Sequence, residues 1–163
     1  MIDWFLIGLA VALSGGAEDT SRDGAARAGA GGAQALAGFE AEDQTPTGKF
    51  TTAAEIKPII EATRGNWVAV REYDGQDLLY LTHLLSWRCG MHQVRVGVNG
   101  GAMEVWQMPP CQTDTAAPNA FPDNAVIYKS FGPGEIESIA VEILYDDLAT
   151  AEGTFGRAEV LIP

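Results

Sequence analysis

The stretch Asn66–Tyr73, Asp74-Gly75, Gln76–Trp87 constrains this chain more than any other, because two alternating apolar runs meet at a two-residue Asp-Gly turn. That pattern predicts an antiparallel hairpin with a two-residue turn. If Tyr73 pairs with Gln76, Val70 faces Leu79 and Val68 faces Leu81, which places one apolar set on one side of the ribbon. The alternation continues through His83, Leu85 and Trp87, so the second strand is expected to run on to Trp87 and to turn at Cys89-Gly90.

From that turn the register brings Leu85 opposite Val94 and His83 opposite Val96. A further Asn99-Gly100 turn then sets Val94 against Val105, Val96 against Met103 and Arg95 against Glu104. These three turns predict a four-stranded antiparallel meander. Its inner face carries Val68, Val70, Leu79, Leu81, His83, Leu85, Trp87, Val94, Val96, Val98, Met103 and Val105.

A helix is expected upstream of the meander. Thr52 and Glu55 have capping-box spacing, and Ile56, Ile59 and Ile60 follow at helical period. Lys57 and Glu61 are expected to pair on its outer face, Pro58 to kink it or delay its start, and Gly65 to end it. Downstream, Gln112–Asn124 reads as loop and Ala125–Phe131 as a strand. Gly132-Pro133-Gly134 reads as a turn, Ile136–Tyr145 as a long alternating strand and Gly156–Ile162 as the last strand. The fold class is mainly β (α+β), with about seven antiparallel strands in a sandwich or curled sheet and one N-terminal amphipathic helix.

The same registers carry the chain's only two cysteines, Cys89 and Cys111, to neighbouring positions. A disulfide follows, worth about 3 kcal/mol in the chain-entropy account. It agrees with the apolar run Trp4–Leu13, which has the length of a signal-peptide core and falls short of a membrane span. Gly15 and Ala17 suit cleavage after Ala17, although Met1-Ile2-Asp3 lacks the usual basic residue. The expected organisation is therefore a signal peptide over 1–17, a flexible Gly/Ala-rich linker over 18–47 and one stapled β domain over 48–163. The expected location is exported, periplasmic or secreted, with no integral membrane segment in the mature chain.

A formal charge of -12, from 22 acidic and 10 basic residues, disfavours nucleic acid as a partner, since the basic residues past Lys49 are scattered singly. Phosphate-loop, dinucleotide-binding, nucleophile-elbow and zinc-protease motifs are all missing, and neither metal nor cofactor is expected. Asp146, Asp147 and Glu152 are expected to share a solvated acidic loop.

On the outer face of the meander the registers gather Trp67, Arg71, Tyr80, Arg88, Arg95 and Trp106, together with Ser86, Gln93 and Glu104. Aromatic rings interleaved with arginine suit a protein or glycan partner. A second polar corner, Trp87, His92 and Gln107, is expected beside the disulfide. The leading expectation is an exported, non-enzymatic binding module. Its rivals are a small envelope hydrolase using a histidine, His83 or His92, with a loop carboxylate, and a structural assembly protein.

Overall fold

A computed structural model describes residues 38–163. The apolar run Trp4–Leu13, the cleavage position and most of the linker lie outside the described residues. Within them the chain is mainly β, with few helical residues and two four-stranded sheets.

The first helix among the described residues, α1 (Ala53–Ala62), starts where Thr52 accepts the Glu55 N–H and Glu55 reaches back to the Thr52 hydroxyl. It continues through Pro58 without interruption, and Ile56 and Ile60 are fully buried. Two expectations for it are corrected. Lys57 turns away from Glu61 and pairs with Asp147, and the helix closes at Thr63, with Gly65 inside a following 3-10 turn, Arg64–Asn66.

The hairpin of β1 (Ala69–Tyr73) and β2 (Gln76–Tyr80) has the register read from the sequence: Tyr73 opposite Gln76 and Val70 opposite Leu79. Asp74 and Gly75 have φ of 50° and 70°, the pair of values that a tight Asp-Gly turn supplies. Beyond Tyr80 the expectation fails. Thr82–Leu85 is a helical turn, α2, followed by a 3-10 turn at Arg88–Gly90, so β2 stops short and never meets the next strand. Leu81, Leu84 and Leu85 are all fully buried, at helical spacing.

That break splits the expected meander in two. The strand β3 (Met91–Val98) belongs to the other sheet, between the two-residue β4 (Glu104–Val105) and β6 (Ser138–Tyr145), with β7 (Thr150–Gly156) at the far edge. The first sheet is completed by β5 (Tyr128–Phe131) against β2 and, after a short helical turn α3 (Arg157–Val160), by β8 (Leu161–Ile162) parallel to β1. The expected last strand Gly156–Ile162 is thus a helical turn flanked by the ends of two strands. Asp146 and Asp147 lie in the β6–β7 turn and Glu152 within β7, so the expected acidic loop does not form.

The β3–β4 hairpin turns at Asn99-Gly100, both with positive φ, but its register differs from the expected one by one residue: Arg95 pairs with Val105 and Val96 with Glu104. A slip of one exchanges the two faces of a strand. Val105 therefore points outward and is 47% exposed, while Trp106 turns inward and is 3% exposed. Gly97 permits the extra residue, since a Cβ there would stand 2.7 Å from the Met103 sulfur.

Both sheets contribute to one buried cluster, Val70, Leu79, Val94, Val96, Ile139, Val141, Ile143 and Phe155 among it, joined by α1 through Ile56 and Ile60. Buried apolar contact of this extent is the main stabilising contribution to the fold. The long segment from Trp106 to Ile127 crosses between the sheets and carries one covalent fastening. Cys89 and Cys111 are disulfide-bonded, with Cα atoms 5.6 Å apart.

Beside the bridge, the 2%-exposed Arg88 donates all its guanidinium hydrogens to backbone carbonyls. Nε goes to Pro109, Nη1 to Leu85 and Asn119, and Nη2 to Pro110 and Ala120, at 2.7–3.0 Å. Burial pushes the Arg88 pKa down, yet a guanidinium keeps its proton and the five carbonyl dipoles compensate it.

Residues 39–44, placed by sequence in the flexible linker, are hydrogen-bonded to the domain. The Glu42 N–H donates to the Asp146 carbonyl and the Gln44 amide to its carboxylate. The same Asp146 oxygen accepts the Ala53 N–H at 2.8 Å, so one buried carboxylate holds both this segment and the start of α1.

Candidate functional site

The six residues expected on one outer face do not share it. Trp67 is buried because it precedes β1 in a helical backbone conformation, so the strand alternation does not reach it. Its indole N–H donates to Ile60 O at 2.8 Å, and its ring meets Phe155 edge-on in space left by Gly153. Trp106 and Arg88 are buried for the reasons above. Arg95 is half-buried on the outer side of the second sheet, paired with Glu142 at 2.8 Å. The corner of Trp87, His92 and Gln107 also separates: Trp87 packs edge-on against Phe50, His92 stacks on Phe39, and Gln107 is exposed.

Arg71 and Tyr80 remain together, on the solvent face of the first sheet. Because Val70 and Leu79 point into the core, Ala69, Arg71 and Tyr73 on β1 point outward, as does Tyr80 opposite Ala69. Pairing of β2 with β5 adds Tyr128 beside Tyr80, ring centroids 5.5 Å apart, and β8 sets Ile162 next to Arg71. Of the large apolar side chains exposed among the described residues, Tyr73, Tyr128 and Ile162 lie on this face, with Val126 just before β5 and Leu161 on the other side of β8. A concentration of that kind marks a contact surface more often than scattered exposure does.

One side of the face is concave. Arg71, Tyr80, Thr82, His83 and Ile162 line a depression of about 400 Å³, with α2 as its wall. The Thr63 hydroxyl donates to Ile59 O at 2.6 Å and therefore accepts from His83 Nε2 at 2.7 Å. This network assigns the proton to Nε2 and leaves Nδ1 as an acceptor. Burial lowers the His83 pKa below its ordinary value, so the ring is neutral at pH 7.

No family model, curated protein or solved structure matches this chain.

Charge on this face is unusual for so acidic a chain. Lys57, Arg95, Lys129 and Arg157 each face a carboxylate, and Lys49, Arg64 and Arg88 donate to carbonyls. Among the described residues, Arg71 alone of the basic side chains has neither; its guanidinium lies over the Tyr73 ring, 5.4 Å from the centroid. An exposed arginine steadied by an aromatic face, with its donors free, can receive a carboxylate bidentately.

Chemistry of other kinds finds less to work with. Among the described residues neither histidine has a carboxylate within hydrogen-bond reach: His83 meets Thr63, and His92 Nδ1 is 3.7 Å from Glu42. No group of three or more His, Cys, Asp or Glu side chains suited to a metal occurs among the described residues. Tyr73 was missed from the expected face, although its parity with Arg71 carried the signal. Tyr128 and Ile162 had no such signal, because nothing in their local sequence says which strand they join.

Proposed function

We propose that this chain is an exported, non-enzymatic binding module that docks a protein partner on the solvent face of the β5-β2-β1-β8 sheet. Arg71 receives a carboxylate of the partner, and the rings of Tyr73, Tyr80 and Tyr128 supply the apolar contact. The observation that carries this reading is Arg71 itself, the one described basic side chain without an acceptor, set beside the exposed Tyr73, Tyr128 and Ile162. Tyrosine and arginine are the residue types that concentrate binding energy at protein interfaces.

The Cys89–Cys111 bridge supports export, since such bonds persist in oxidising compartments. Among the described residues no helix is long and apolar enough to cross a membrane. In architecture we read the two sheets as layers of a small sandwich with α1 covering one end.

The test is a comparison of variants on immobilised protein. Envelope or culture-fluid proteins captured by the native chain are expected to be lost with Arg71→Ala and Tyr80→Ala and kept with Arg64→Ala. A glycan array that binds the native chain, with loss on the same two substitutions, would replace the protein partner by a saccharide. Capture indifferent to both substitutions would remove the face from the reading.

A further inference from the structure

Where β4 and β5 form the facing edges of the two sheets, the layers do not close on each other. Leu79 and Phe131 from one sheet and Val96, Val98 and Trp106 from the other line a cleft of about 200 Å³. A void of about 150 Å³ with similar lining accepts a benzene-sized molecule, and water gains little from so apolar a wall. The side chains around an unfilled apolar cleft lose contacts that a ligand would restore.

The rim is charged, and the one-residue shift in the β3–β4 hairpin explains why. Glu104, opposite Val96, and Lys129, opposite Leu79, both point to the inner side of their sheets. They meet across the mouth at 3.8 Å, side chains 75% and 41% exposed, and the Lys129 ammonium sits 4.9 Å from the centre of the Trp106 ring. Glu104 has no other polar partner among the described residues and is free to swing into solvent. Lys129 is held by the Trp106 ring beneath it, so a cation stays at the mouth when Glu104 leaves.

We infer that this inter-sheet cleft binds a small amphiphile, a short acyl chain or single ring whose carboxylate displaces Glu104 on Lys129. The apolar portion lies against Val98, Phe131 and Ala102, over the nearly buried Trp106, and its head group stays at the solvent boundary. This site is separate from the outer face around Arg71, and neither requires the other.

Octanoate and octan-1-ol are suitable probes, titrated into isotope-labelled protein and followed by amide and methyl NMR shifts. Octanoate is expected to saturate with shifts centred on Val96, Val98 and Phe131, and to bind at least tenfold more tightly than the alcohol. Lys129→Met is expected to reduce octanoate binding to the level of the alcohol, whose binding it leaves unchanged, and Ala102→Trp at the rim to block both. Arg71→Ala is expected to change neither. Absence of saturable octanoate binding to native protein, shifts mapping elsewhere, equal affinity for the two probes, or octanoate binding untouched by Lys129→Met would each overturn the inference.

Discussion

Arg157 grips Asp77 with both terminal nitrogens, Nη1 to Oδ2 at 2.6 Å and Nη2 to Oδ1 at 3.0 Å, although the Asp77 side chain is fully buried on the inner side of β2. Asp77 also accepts the Ile136 N–H at 3.1 Å, and Arg157 Nη2 reaches Glu72 at 2.5 Å. One ion pair thus ties the hairpin, the turn before β6 and the start of α3. The Arg157 hydrogen bonds hold the Asp77 pKa down to about 2 against the opposing effect of burial, and the Ile136 N–H adds to them.

A carboxylate with a depressed folded pKa stabilises the fold fully above its unfolded pKa, about 4, and that contribution disappears as pH falls toward 2. Asp77→Asn is therefore expected to lower stability at pH 7, by about 3 kcal/mol for a broken buried pair. It should also flatten the stability profile between pH 4 and 2. Urea unfolding at a series of pH values measures both effects, and a variant whose curve parallels that of the native chain would show that the pair contributes no pH dependence.

Arg88 and the Cys89–Cys111 bridge hold the same crossing segment from adjacent positions. Arg88→Met leaves five carbonyls without their donor and should cost about 3 kcal/mol or more. Arg88→Lys should recover only part of this, since an ammonium offers three donors instead of a planar set of five. Replacing both cysteines by serine should cost about 3 kcal/mol, and combining that with Arg88→Met should cost less than the sum, because a freed segment can be freed only once. Thermal or urea denaturation of the four proteins gives the coupling.

Gly90 lies where the turn after Arg88 touches α1. A Cβ there would stand 2.7 Å from Ile56 Cδ1 and 2.8–2.9 Å from the Thr52 backbone. Ile56 can shift slightly, but a capped helix start cannot. Gly90→Ala is expected to cost about 1–3 kcal/mol, whereas Gly65→Ala, with open space around it, should be close to neutral or mildly stabilising.

His83 reports on the wall of the concavity. Because burial lowers its folded pKa, the neutral ring favours the fold above pH about 6.5 and that contribution is lost as pH falls below it. An NMR titration should show His83 protonating at lower pH than in the unfolded chain. His83→Gln should remove the corresponding slope of stability below pH about 6.5.

What was legible in the sequence follows from how local each determinant is. The Asp74-Gly75 hairpin was readable down to its register because a two-residue turn leaves no freedom between Tyr73 and Gln76. The Cys89–Cys111 pairing came from the sequence as well, although the strand pairings used to reach it were wrong: β2 does not run to Trp87, and the bridge fastens the Cys89 turn to a loop instead of to the end of a fourth strand. Leu81, His83 and Leu85 alternate, while Leu81, Leu84 and Leu85 have helical spacing. Both periods coexist in those five residues, and burial of all three leucines decided for the helix. One residue more after Asn99-Gly100 reversed Val105 and Trp106, which took Trp106 out of the expected binding face. Arg71 and Tyr80 survived because they lie on the hairpin whose register was unambiguous. Tyr128, Ile162, Lys129 and Arg157 reach their places through pairings between distant segments, for which the local pattern holds no signal.

The central claim is that Arg71 accepts a carboxylate from a protein docked on the outer face of β5-β2-β1-β8. The most direct measurement is the affinity of the captured partner, by calorimetry or surface plasmon resonance, for native protein and for Arg71→Ala, Arg71→Lys and Arg64→Ala at two salt concentrations. A desolvated arginine–carboxylate contact predicts a loss of at least tenfold with Arg71→Ala and partial recovery with Arg71→Lys. It also predicts no change with Arg64→Ala and weaker salt dependence in the alanine variant than in the native chain. Equal affinity of native and Arg71→Ala proteins at both salt concentrations would contradict it.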